Sequence, residues 1–309
     1  MDLAHYSTFE NNADFIARTD KNYNLAIQSS FMEIDERTQW VNNYIINHSK
    51  QQWSVKYNVD SFMLQVNNSE YRISEFASKL EKPSSTPLID ATSLSYPEIQ
   101  YLFYWLNKIN CPFDLVYVEP EKYTEKKVPV GEVDYLLSDD GPGVMQLAPF
   151  LGTTVTQDTI NVISIGFEGH RVAGLLNNDQ LREPGFDDVR LVLGVPAFKA
   201  GYDRVSIIKN IEVFREVLKL QRYELDFAAA NNPYSMIHLL EKIKSTTNIM
   251  PDTPIKSINL IPFGTKPAAI GMAWFAAKYQ EDIIVTYDHV VKLPGRSEGV
   301  GRIHLASFR

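Results

Sequence analysis

The feature that most constrains the fold is an alternation. Short apolar runs such as "NLAIQSS", "LIDA", "INVISIG", "VRLVLGV", "YELDFAA" and "INLIPFG" are each followed by a polar turn. Behind each turn lies a segment with helical apolar spacing, or a second apolar run. Parallel strands cannot be joined by a tight hairpin; they need a crossover, and a helix is its usual form. The chain therefore reads as α/β, with a mainly parallel sheet and helices on both faces.

At 309 residues this Rossmann-like pattern leaves open one composite sheet or two related halves. The expected division is an N-terminal α/β half over 1–125, an irregular loop or linker over 126–158, and a C-terminal Rossmann-like half over 159–309. A short echo suits two halves. "AIQSSFMEIDER" and "VISIGFEGHR" both leave a strand through Phe and then place Glu and Arg.

Local patterns sharpen the expectation. "EIDERTQWVNNYIINH" predicts a helix with Ile34, Trp40, Val41, Tyr44 and Ile45 on one stripe. "SEYRISEFASKL" predicts a second helix behind a Ser cap, and Ser95 with Pro97 opens a third. "DRVSIIKNIEVFREVLKL" reads as one amphipathic helix. Residues 1–22 read as loosely held, and "SDDGPGVMQLAPFLGTT" as a long loop. The C-terminal "EDIIVTYDHVVKL" and "PGRSEGVGRIHLASF" suggest a hairpin.

Charge and cysteine usage exclude several classes. Thirty basic against 38 acidic residues give a net charge of −8, which argues against a broad duplex nucleic-acid surface or a membrane-surface binder. The single Cys111 excludes an internal disulfide and any multi-cysteine metal site. No apolar run approaches the roughly 18 residues of a membrane span, and "MDLAHYSTFENNADF" lacks signal-peptide character, so a cytoplasmic protein is expected.

Ligands of open α/β sheets bind at the carboxyl ends of strands, so the residues delivered there are the candidate site. "GFEGHR" delivers Glu168, His170 and Arg171. Arg171 can hold phosphate bidentately, and Glu168 or His170 can bind a hydroxyl or, in an enzyme, move a proton. A first-turn acid and a structural salt bridge account for the same residues. "AAANNPY" delivers Asn231, Asn232 and Tyr234 to a base or sugar, or merely turns the chain.

"IPFGTKP" delivers Gly264, Thr265 and Lys266 to an anion at a helix N-terminus, or only turns the chain with a solvated lysine. It has neither the Walker spacing nor the Gly-x-Gly-x-x-Gly fingerprint. "DHVVKLPGRSEGVGR" offers Arg296, beside Lys292 and Arg302, as a clamp over a ligand, or reads as a charged hairpin tip. No metal set is expected and no cofactor is evident; Asp139–Gly141 is the one place with carboxylates spaced for Mg²⁺, and it also reads as a turn.

"SINLIPFGTKPAAIGMAWFAAKY", residues 257–279, resembles the strand–Gly-Thr-Lys–helix element of CRISPR-associated Rossmann-fold (CARF) domains. In that family an Asn-x-Thr-Gly-Gly-Thr-Lys type turn precedes a small-residue helix. Asn259 stands at the Asn, and Gly264, Thr265 and Lys266 at the end of the motif, while Pro262 and Phe263 replace its Thr-Gly part. The resemblance implies a sensor of a cyclic nucleotide or related phosphorylated small molecule in prokaryotic antiviral defence, commonly a homo-dimer. No Arg has a His five residues later, so the Arg-x4-His nuclease effector of that family is not in this chain. A sensor of this kind passes its output to a protein partner, or degrades its ligand. An enzyme on a nucleotide-type substrate and a non-catalytic interaction subunit are the other two readings.

Overall fold

A computed structural model describes residues 1–19, 21–30, 35–127, 133–135, 137–151, 159–177, 188–220, 222–247 and 257–309. The chain opens with β1 (Leu3–Phe9), α1 (Asn12–Arg18), β2 (Tyr23–Ser29), α2 (Glu36–His48), β3 (Ser49–Asn58), β4 (Met63–Val66) and β5 (Ser69–Arg72). Next come α3 (Phe76–Lys79), β6 (Leu88–Asp90), α4 (Tyr96–Lys108), β7 (Phe113–Tyr123) and the small pair β8 (Lys126–Lys127) and β9 (Val133–Asp134).

Then follow β10 (Ser138–Leu151), β11 (Ile160–Ile165), α5 (Gly169–Asn177), β12 (Asp188–Gly194), α6 (Tyr202–Lys209), α7 (Ile211–Val217) and β13 (Arg222–Ala228). The chain closes with α8 (Pro233–Thr247), β14 (Ile258–Pro262), α9 (Lys266–Lys278), β15 (Ile283–Lys292) and β16 (Ser297–Phe308).

These elements form two compact units, Met1–Asp139 with Val291–Arg309, and Asp140–Val290. The division expected from sequence differs in two ways. The last strand belongs with the N-terminal residues, and the supposed linker contains a 14-residue strand, β10. The terminal hairpin does not form: β15 pairs with β14, whereas β16 pairs with β7 and β1.

In the first unit the sheet order is β1-β16-β7-β6-β2-β3-β4-β5. The middle four strands run parallel. Antiparallel strands extend both sides. The α/β class thus holds, with a mixed sheet in place of a mainly parallel one. Residues 1–19, expected to be loosely held, form β1 on a sheet edge and α1, whose Phe15 is fully buried beside Phe9 and Tyr44. Ser69 begins β5, not a helix: antiparallel pairing with β4 outweighs the helical spacing, which survives only as α3.

α2 and α4 start at capping boxes, Asp35 with Thr38 and Ser95 with Glu98. α4 is apolar almost all round and is buried. Phe103 packs there on Phe113 and Phe308, at ring distances of 4.9 and 5.4 Å.

The C-terminus is pinned by Asp114. Its carboxylate accepts from Lys21 Nζ (2.5 Å), Tyr23 Oη (3.0 Å), Ser307 Oγ (2.8 Å) and Arg309 Nη2 (2.6 Å). Burial alone would push this carboxyl up, but the hydrogen bonds from Lys21, Arg309 and Ser307 outweigh it and hold it below the usual range. The stabilisation is therefore complete above the unfolded-state value of about 3.9 and is lost as pH falls through the lower folded value. Asp114→Asn is expected to lower stability at neutral pH and to flatten the acid limb of a stability–pH curve measured by urea unfolding. An acid limb unchanged from the wild type would refute this.

In the second unit the order is β10-β15-β14-β11-β12-β13, and β11 to β15 are all parallel. Strands such as β11 are buried along their whole length, as parallel strands covered on both faces must be. α5 and α7 cover one face through Val172, Leu175, Leu176, Val213 and Val217. The expected single helix over 203–220 is two, α6 and α7, with Asn210 at the junction. The small residues of α9 serve a helix–helix contact. A Cβ at Gly271 would stand 2.7 Å from the Pro233 carbonyl oxygen of α8 and 2.9 Å from Met236 Cβ.

Candidate functional site

In the second unit the chain proceeds from β11 to β12 and β13 on one side, then crosses back to β14 and β15 on the other. The order reverses between β11 and β14, so the turns that follow them bound the crevice where such sheets take ligands. Phe263 N–H donates to the Ser164 carbonyl and Gly264 N–H to Ser164 Oγ, both at 3.1 Å. A Cβ on Gly166 would lie 3.0 Å from the Phe263 carbonyl oxygen, and one on Gly264 3.0 Å from Ser164 Oγ. Gly166 thus packs against the Phe263 backbone and Gly264 against the Ser164 side chain, so a side chain at either place would press on its neighbour.

The neighbouring turns are tied into the same rim. Thr265 Oγ1 donates to the Ala230 carbonyl (2.5 Å), and Ala230 N–H to the Pro196 carbonyl (2.9 Å). Asn210 Nδ2 and Ser206 Oγ hold the Gly166 carbonyl at 2.6 and 3.1 Å. Gly169, which opens α5, lies so close to the Lys209 carbonyl that a side chain there would overlap it.

The candidates from sequence fall into three groups. Gly264, Thr265 and Lys266 occupy the β14 turn and the start of α9, with Thr265 as N-cap and Lys266 half-buried as the first helical residue. Asn231, Asn232 and Tyr234 lie at the β13–α8 turn, which Thr265 joins to the first group. Within it Asn232 Oδ1 caps α8 by accepting from Tyr234 N–H (2.9 Å), Tyr234 is exposed, and Asn231 is half-buried. Glu168, His170 and Arg171 form the third group, on the β11 turn and the first turn of α5. His170 is exposed and Glu168 half-buried.

Arg171 turns out to be an internal strut. Its Nε donates to Asp288 Oδ2 of β15 at 2.7 Å and its Nη1 to Asp140 Oδ1 of β10 at 3.4 Å. Its charge is thus matched by carboxylates of its own unit. Arg296 belongs to the first compact unit, where its carbonyl accepts from Thr124 N–H at 3.0 Å, and so is not grouped with the other nine.

Asn259, matched in the CARF resemblance, enters a buried ladder across four strands. Its Nδ2 donates to Asn161 Oδ1 (2.9 Å), its Oδ1 accepts from Thr286 Oγ1 (2.8 Å), and Asn161 Nδ2 reaches the Asp188 carbonyl (3.3 Å). Asp139 and Asp140 lie in β10 and not in a turn. Among the described residues no three His, Cys, Asp or Glu side chains gather as a metal site, and no helix is long and apolar enough to cross a membrane.

At the carboxyl ends of the first unit's strands, polar residues mostly satisfy backbone groups. Asp90 Oδ1 accepts from Thr92 N–H (2.8 Å), Thr92 Oγ1 from Val118 N–H (3.1 Å) and Ser93 Oγ from Ser29 N–H (3.1 Å). Two residues that sequence reading passed over, Glu119 and His304, form a chain there. Glu119 accepts from His304 Nε2 (2.7 Å) and Arg302 Nε (3.1 Å), and His304 Nδ1 faces Tyr6 Oη (2.7 Å) and Thr8 Oγ1 (3.0 Å). This clasps β1 to β16 and β7. Its members are up to 298 residues apart, so only strand register could reveal it.

No protein-family model matches the chain, and no curated protein sequence matches it.

Proposed function

We propose that the chain binds a nucleotide or another phosphorylated small molecule at the carboxyl ends of β11 and β14. The observation that carries this is the reversal of strand order between them, with two glycine turns held edge to edge and α9 opening beside them. The parallel order β15-β14-β11-β12-β13 supports reading this unit as a Rossmann-like half. Lys266 brings a cation to the start of α9, and the α9 dipole favours negative charge at this end. Asn231, Asn232 and Tyr234 border the same rim and suit a base or sugar.

On this reading the chain is a sensor or regulatory subunit that works with a protein partner. A place in prokaryotic antiviral defence, and a cyclic nucleotide as ligand, rest on the resemblance at residues 257–279 alone. The test is a thermal-shift panel of linear and cyclic nucleotides and sugar phosphates. A ligand at 100 times its Kd adds about 2.7 kcal/mol to the folded state, which a melting curve resolves. The shift is expected to vanish in Lys266→Ala while the unliganded melting temperature stays the same. No shift with any phosphorylated compound, or an equal shift in Lys266→Ala, would sink the proposal.

The second reading is an enzyme on such a ligand. It is favoured by the exposed His170 next to Glu168 at the same switch point. Turnover of the bound compound, abolished in Glu168→Gln or His170→Ala, would decide for it.

A further inference from the structure

β13 is the outermost strand of the second unit's sheet. Tyr223, Leu225 and Phe227 alternate along it and so share a face. In register they stand beside Val189, Leu191 and Leu193 of β12, which are buried in the core that α5 and α7 cover. The apolar row thus runs one strand past its helical cover, leaving Tyr223 47%, Leu225 46% and Phe227 57% exposed. An apolar edge strand of this kind is a template for another strand.

We infer that β13 pairs antiparallel with β13 of a second copy, on a two-fold axis at Glu224, joining two six-stranded sheets into one. Charge selects the occupant, and charge with overlap selects the register: an axis at Tyr223 also sets Arg222 against Glu224, but it pairs only residues 222–224 of β13, against 222–226 for an axis at Glu224. With the axis at Leu225, Glu224 would face Asp226 of the copy in both directions, acid against acid. With the axis at Glu224, Arg222 faces Asp226 in both directions and Tyr223 faces Leu225, so the strand is complementary to itself. Only Glu224 meets its own copy there, and each is neutralised by Arg190 Nη2 at 2.8 Å. Arg222 is available for the pairing: its side chain is 68% exposed and its contact with Asp188 is 4.0 Å long. Opposite-charge pairs directly across strands stabilise, and like-charge pairs oppose, the register that contains them.

Sedimentation equilibrium of the full chain, 35.2 kDa, is expected to show a dimer. Leu225→Arg is expected to give a monomer that keeps the wild-type circular-dichroism spectrum, since that side chain is already half in water. Glu224→Cys tests the register. Directly opposed residues have Cβ atoms about 4.5–5.5 Å apart, near disulfide reach, so mild oxidation should join two copies. The single native cysteine, Cys111, is buried and contributes little background. A wild-type monomer would overturn the inference and leave the stripe to a different protein. A dimer that survives Leu225→Arg, or a Glu224→Cys chain that does not cross-link, would overturn it as well. None of these outcomes depends on whether a phosphorylated ligand binds.

Discussion

Asp288→Ala is expected to destabilise the second unit by about 3–5 kcal/mol, the cost of leaving a buried guanidinium without its partner. Arg171 and Asp288 have side chains only 9% and 8% exposed and meet at 2.7 Å. Asp140 cannot take over, because it is fully exposed and reaches Arg171 at 3.4 Å. Urea unfolding, followed by hydrogen exchange in the strands of this unit, measures the loss. The double substitution Arg171→Met with Asp288→Leu should recover most of it, since an apolar pair of similar volume removes both desolvated charges. A loss of less than about 1 kcal/mol would place the pair among surface ion pairs and reopen a ligand role for Arg171.

Asn259→Leu is expected to cost about 2–6 kcal/mol, at ~1–3 kcal/mol for each of the two buried groups that lose a partner. Thr286 would lose its acceptor and Asn161 Oδ1 its donor, in a layer where all three residues are buried. Converting the whole ladder, Asn161→Leu with Asn259→Leu and Thr286→Val, should restore much of the loss, because no polar group is then left behind. The same variant separates stability from recognition. Asn259 lies near the amino end of β14 and Lys266 beyond its carboxyl end. Asn259→Leu should therefore lower the melting temperature without changing the increment that a bound nucleotide adds. An increment lost in Asn259→Leu would return Asn259 to the site.

Much of the second unit was legible in the sequence. β11, β12, β14 and α9 follow from apolar runs, a turn and a small-residue helix. The first unit was less so. Ser69–Arg72 carries helical spacing yet pairs as β5, and the Gly- and Pro-bearing 138–151 is a strand, because an available sheet edge outweighs local preference. The candidate site was half legible. Gly264, Thr265 and Lys266 lie just past the carboxyl end of β14, beside the point where the strand order reverses. Asn232 and Arg171 carry chemistry that suits a ligand equally well, and in the fold they cap a helix and neutralise a buried acid. The echo between "AIQSSFMEIDER" and "VISIGFEGHR" rests partly on 31–34, outside the described residues.

The sequence by itself determined the central strands of the second unit and the caps of α2 and α4, because burial periodicity, caps and glycine turns act over a few residues. Only the tertiary structure decided which charges are matched from within. Arg171 meets Asp288 across 117 positions, and His304 meets Glu119 across 185. A guanidinium or imidazole has the same chemistry in either role, and its partner is set by strand order and register, which no local pattern encodes.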